Sequence, residues 1–351
     1  TLTMSATGGI NVGGNNQVAN LGAMTGPGVT FANAGSFNVT QSIGVSAAIL
    51  LTSNSGAITQ NAGTTLTADT IALGAGTTIS QGTGATLNST NLSLTSGGNV
   101  TLGEANNFST LTDLAVGGDL TLRNLGNINL SPILGGTGGY RSGGALTLVS
   151  DTGNILTTNS GISTSRLNAS AAGSISLDGT IASLGTITAG QSILLTTYSG
   201  GMDLTGNVTG RNISLYADTG ISQSGGIIDA ERLNVITNGA ISLTGANAID
   251  VVGRLDTDQY DLGNGHDITL RNSGAIVLDY LVEAPGGTVT LTSDTGGISQ
   301  SGFSVITAAT LNANAPGDIV FDQASNNIAN LGASRSSTGI LTYADANGFN
   351  I

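Results

Sequence analysis

The stretch RLDTDQYDLGNGHD, residues 254–267, concentrates most of the chemistry that the side chains of this sequence could perform. It sets Asp256, Asp258, Asp261 and Asp267 beside His266, the only histidine of 351 residues, with Arg254 at its start. Closely spaced carboxylate oxygens are the donor set that Ca²⁺ takes, so these four aspartates are a candidate calcium site. The same residues read equally as a solvated loop, extended by the mutual repulsion of its acids. Catalysis asks for more, namely an acid and a base in distinct roles and a further polar set to orient a substrate. The other acids are scattered along the chain, so no catalytic residue is assigned, no enzyme activity is expected, and no cofactor is expected beyond that cation.

Three further patterns have chemical readings. Gln60, Gln81, Gln223 and Gln300 each follow Ile-Ser or Ile-Thr. They read either as a corner position whose amide bonds backbone or as a ladder facing a ligand. Asn38, Asn99, Asn168, Asn207 and Asn212 head Asn-x-Ser/Thr triplets that could accept sugar, although a chain this rich in Asn, Ser and Thr writes such triplets by composition alone. SPILGGTGGYRSGGA (131–145) has the glycine content of a phosphate loop but lacks the Gly-Lys-Ser/Thr ending and a following helix, so it reads as a surface excursion.

The elements that must position these residues are repetitive. ISQSGGIIDAERLNVITNGAISL begins at Ile221 and ISQSGFSVITAATLNANAPGDIV begins at Ile298, 77 residues later. A third copy, LTLVSDTGNILTTNSGISTSRLNASAAGSISLDGTIASL, covers 146–184. Asp151-Thr152-Gly153, Asp218-Thr219-Gly220 and Asp294-Thr295-Gly296 align, and the modules fall near 49–116, 146–185, 213–253 and 289–333. Within them Gly153 and Gly173, Gly220 and Gly239, and Gly296 and Gly317 stand 20, 19 and 21 residues apart. Between these glycines short apolar alternations such as Ile175-Ser176-Leu177 and Ile241-Ser242-Leu243 read as strands with one buried face, and no run has helical period. Short strands turning at Gly and Asn corners about every twenty residues predict a single continuous solenoid over 1–351, with loop excursions near 131–145 and 253–267. The second excursion follows from the glycine spacing, which stretches to 35 residues between Gly239 and Gly274. Ile175, Leu177, Ile241, Leu243, Ile319 and Phe321 are expected to face inward.

Composition excludes several alternatives. With 3% aromatic residues, no Trp and 55 Gly, the chain lacks the filling of a large globular core, whereas stacked Ile, Leu, Val, Ala and Thr suffice for a narrow solenoid interior. At 39% hydrophobic and 8% charged it is not a disordered chain, and its twelve Phe and Tyr form no aromatic girdles of a membrane barrel. Eight Arg, no Lys and a net charge of −13 give no basis for gripping nucleic acid or an anionic membrane. The chain has no Cys, and it begins at Thr1 without a leader, as a processed or excised piece would.

The Gly-x-Ile-x-Leu coils, the ISQ and ITQ starts, and the segments GGNNQVANLGA (13–23) and SNNIANLGA (325–333) resemble the repeat region of filamentous-haemagglutinin-like adhesins of Gram-negative bacteria, exported by two-partner secretion. The resemblance covers essentially the whole chain, but the Asn-Pro segments of that family's secretion domain are missing. It implies an all-β, right-handed parallel β-helix with about 20 residues per coil, forming a stretch of a secreted or cell-surface filament outside the cell. Attachment, aggregation or biofilm formation would be its role. Its implied partners are neighbouring repeats or copies stacked end to end, a host or cell-surface glycan and the outer-membrane secretion pore. The alternative is a carbohydrate-active β-helix, a polysaccharide lyase or hydrolase or a glycan-binding module, whose site lies on the face carrying the acidic loop. A groove with convergent acids and a base on adjacent coils would distinguish it from a uniform polar stalk.

Overall fold

The computed structural model describes residues 1–131, 140–158, 161–259 and 265–351. The chain is all-β, and its parallel strands stack as a β-solenoid of about 16 turns with about 21 residues in each, close to the twenty expected. It divides into two units, Thr1–Leu177 and Asp178–Ile351.

In the first unit, Val29 pairs with Ile49, Ile49 with Ile71, Ile71 with Leu92 and Leu92 with Leu111, a row of aliphatic residues one coil apart. In the second, Leu195, Leu215, Val235, Leu255 and Val282 form an equivalent row. In-register stacking follows from the period of two along each strand, because a slip of one residue would turn every aliphatic side chain outward. The six positions expected to face inward are buried, none more than 1% exposed.

Side-chain amides complete the corners. Gln223 donates from Nε2 to Asn247 Oδ1 at 2.9 Å, and Asn247 returns a bond from Nδ2 to Gln223 Oε1 at 3.2 Å. Gln81 with Asn106 and Gln300 with Asn326 make the same reciprocal pair. Each asparagine also accepts a backbone N–H from the first or second residue of a strand: Leu87 for Asn106, Ile228 for Asn247 and Ile306 for Asn326. Gln60, which is buried, donates to the carbonyls of Thr64 and Thr86. Gln60, Gln223 and Gln300 thus bond backbone, the last two at the Gly226 and Ser304 carbonyls, as the corner reading has it, whereas Gln81 donates to the side chains of Gln60 and Asn106. The asparagine partner of Gln81, Gln223 and Gln300 was not anticipated from the sequence.

Corner glycines have two distinct physical reasons. Gly63 and Gly84, with φ of 68° and 71°, occupy the left-handed region anticipated for such turns. Gly97 and Gly117 do not; a Cβ on Gly117 would lie 2.3 Å from the carbonyl oxygen of Gly97, one coil away. That column needs glycine for close backbone approach. Gly117→Ala is accordingly expected to cost roughly 1–3 kcal/mol by forcing adjacent coils apart. Gly126→Ala, with nothing within 4 Å of its Cβ, should change little. Amide exchange of Val116 and Leu120 checks this, since equal exchange in both variants would refute the close-approach account.

Candidate functional site

The acidic segment separates into parts with different surroundings. Asp256 ends the strand Ile241–Asp256 and is wholly buried. One of its oxygens accepts a bond from the Arg254 guanidinium and the other accepts the Asp258 N–H at 2.8 Å. Asp258 is also buried. Asp267 stands at a corner, where Oδ1 accepts the Thr288 N–H at 2.8 Å. Asp119 and Asp318 do the same for Ala145 and Ile340. Asp261 lies outside the described residues. Among the described residues no three of His, Cys, Asp and Glu are grouped so as to hold a metal ion, so Asp256, Asp258 and Asp267 are not brought together as a ligand set.

Thr257 and His266 close the neck of this segment. The Thr257 hydroxyl accepts the His266 N–H at 2.9 Å and donates to the His266 carbonyl at the same distance. Glu283, one coil on, pairs with Asp256 in register and accepts the Thr257 N–H through its carbonyl. Of the first expected excursion, 131–145, residues 132–139 lie outside the described residues, and Tyr140–Ser142 is a strand paired within the stack.

Beyond Asp256 the chain turns back across the outer face. Thr196, Tyr216, Ile236 and Asp256 form an outward row on successive coils. Ile236 is nevertheless only 8% exposed, and Gln259 reaches the row at Thr196 and Tyr216. Three residues span about 10 Å, the width of about two coils, so the path from Asp256 to Gln259 must pass Ile236. The consequence is a groove of about 380 Å³ lined by Leu194, Thr196, Tyr198, Tyr216, Asp218 and Gln259, with Thr197 and Ala217 beneath.

Tyr198 is 62% exposed and donates its phenol O–H to Asp178 Oδ2 at 2.5 Å. That bond, more than the slight desolvation and the charge of Asp178, raises the Tyr198 pKa above the ordinary phenol value. The phenol form is thus favoured by folding, a contribution present below the unfolded value of about 10 and lost as pH rises through the higher folded one. Burial also raises Tyr343, so a difference titration against Tyr198→Phe is needed to assign the signal. Asp178→Asn is expected to return the Tyr198 titration toward about 10, and an unchanged titration would remove Asp178 as the cause.

The groove was not legible in advance; its only sequence signals are Tyr198 and Tyr216, in TTYSG and SLYADTG, the first just past the end of the strand Ser192–Thr197 and the second at an outward position of Val208–Ala217, ahead of a stretched coil. The Asn-x-Ser/Thr asparagines are partly engaged in corners, since Asn99 Oδ1 accepts the Asp119 N–H and Asn207 Oδ1 the Ile227 N–H.

A family model described as repeats of unknown function, DUF5649, matches residues 265–334. That segment contains Asp267, Gln300, Asp318 and Asn326, residues of the corner devices described above. No curated protein and no solved structure matches the chain. The chain is a β-solenoid repeat protein.

Proposed function

We propose that this chain is a structural, non-enzymatic segment of a secreted or cell-surface filament of the filamentous-haemagglutinin-like kind. It leaves a Gram-negative cell through an outer-membrane pore by two-partner secretion and supports attachment, aggregation or biofilm formation outside. Its partners are further coils of the same kind, in line or from a second copy.

The observation that carries this reading is the recurrence of one coil design, aliphatic inside and polar outside, with the Gln–Asn pair written again at 81 and 106, 223 and 247, and 300 and 326. Repetition of a coil produces length and a repeated surface. Against the catalytic alternative, Asp218 is the one carboxylate among the described groove-lining residues, and no basic side chain accompanies it. Asp256, in the acidic segment, is buried and bonded to Arg254.

Immunogold electron microscopy of producing cells tests the reading. Label along fibres beyond the outer membrane is the expected result. Label confined to the cell interior would overturn it.

A further inference from the structure

We propose that the groove beside Tyr198 and Tyr216 is a binding site for a neutral oligosaccharide. The proposal goes beyond the structural role, which needs no ligand. A stalk face built only of stacked coils is flat; here an inserted segment adds a wall at Gln259 on the outer face. The resulting volume, about 380 Å³, lies at the lower end of the ~300–1,000 Å³ typical of small-ligand sites.

The lining decides the ligand class. Tyr198 and Tyr216 offer aromatic surface with polar tips on successive coils, about 5 Å apart along the stack and, because Tyr216 is in register with Thr196, two residues apart along the strand direction. Leu194, 40% exposed, extends the apolar floor. Thr196, Asp218 and Gln259 supply hydrogen-bonding groups beside it. A sugar ring has the matching construction, with C–H groups on its face and hydroxyls around its rim. An apolar ligand would leave Asp218 desolvated without a partner. A phosphate, sulfate or uronate would meet Asp218 and Asp178 with no cation in the lining, on a chain of net charge −13. A peptide added as a strand would need a free edge, whereas Ser192–Thr197 and Val208–Ala217 are paired with each other and Val208–Ala217 is paired again on its far side.

The site also gives the buried acids a purpose. Arg254, Asp256 and the clip between Thr257 and His266 fix the start of the inserted segment, which sets where Gln259 stands. They are positioning residues and touch no ligand.

Isothermal titration of the full chain with cellohexaose, maltohexaose, chitohexaose and hexagalacturonate tests the proposal. At least one neutral hexamer should bind with a Kd between about 10 µM and 1 mM, and hexagalacturonate at least tenfold more weakly. Tyr198→Ala, a change at an exposed position, should weaken the neutral hexamer at least tenfold, and Gln259→Ala at least threefold. Tyr280→Ala, at an exposed tyrosine outside the groove, should leave it unchanged. Absence of binding by all three neutral hexamers, equal or tighter binding of hexagalacturonate, or binding indifferent to Tyr198→Ala would each overturn the proposal.

Discussion

Replacing Asn247 by leucine should release the Ile228 amide to exchange about 30- to 1,000-fold faster than in the parent chain. Asn247 is fully buried, and its side chain accepts the Ile228 N–H at 2.8 Å and donates to the Arg271 carbonyl at 3.1 Å. Leucine fills a similar volume but leaves both backbone groups without that partner. An unsatisfied buried group costs about 1–3 kcal/mol, and with the Arg271 carbonyl, which has a second lone pair, at the low end of about 1 kcal/mol, a total of roughly 2–4 kcal/mol is expected. At about 1.4 kcal/mol per tenfold, this gives the stated acceleration. Gln223→Ala should do less, because Asn247 keeps Ile228 and Arg271. Exchange is the suitable readout, since a long repeat array does not unfold as a single two-state body. Equal acceleration in the two variants would show that the asparagine has no special place in the corner.

The same design explains what was readable in the sequence and what was not. Burial of Ile241 and Leu243 followed from alternation alone, because a strand has only two faces. The recurrence of glutamine after Ile-Ser was equally visible. Its asparagine partner was not, since it lies 24 to 26 residues on, at the far end of the following coil. Joining the two requires knowing that the register shifts between Leu102 and Asn106 and between Leu243 and Asn247. The irregularity lengthens the corner without exchanging the faces: Asn106 and Asn247 keep the inward parity of Leu102 and Leu243, so their burial follows from alternation and only their glutamine partner does not. The glycine columns mislead for a related reason. A corner glycine with positive φ and one with a carbonyl against its Cα look identical in a sequence, yet only the second depends on the next coil.

The acidic segment was visible as a locus, through its stretched glycine spacing, but not in its parts. Sequence proximity suggested that its aspartates act together. In the fold, Asp267 belongs to a corner type shared with Asp119 and Asp318, whereas Asp256 and Asp258 are buried, Asp256 at an outward register position. Chain neighbours separated by a turn of solenoid acquire different neighbours in space. Tyr198 and Tyr216 show the converse, because nothing in either segment marks an outward tyrosine as part of a groove until Gln259 returns to the same face.

Leu243→Asp should disrupt the coils on both sides of its position. Leu243 has no exposed surface and pairs in register with Leu270, which pairs with Leu291. No cationic side chain occupies that row to compensate a carboxylate. A buried acid in such a place remains neutral where it can, with its pKa raised by desolvation. Leu243→Ala should cost about 2–5 kcal/mol through the lost contacts and the cavity. The aspartate should cost more, and the excess should depend on pH. A folded pKa above the unfolded value of about 3.9 means that the penalty is smallest below that value and grows as pH rises. Limited proteolysis at pH 4 and pH 8, with proteases active at each, should therefore cut Leu243→Asp faster at pH 8 relative to the parent chain. Thr244→Asp, one residue along and exposed, should be as resistant as the parent. Because each coil is stabilised chiefly by its neighbours, the cuts should spread to the strands Ile221–Gln223 and Ile268–Asn272 that flank the altered coil. Resistance in Leu243→Asp together with cleavage in Thr244→Asp would mean that inside and outside are exchanged along this strand.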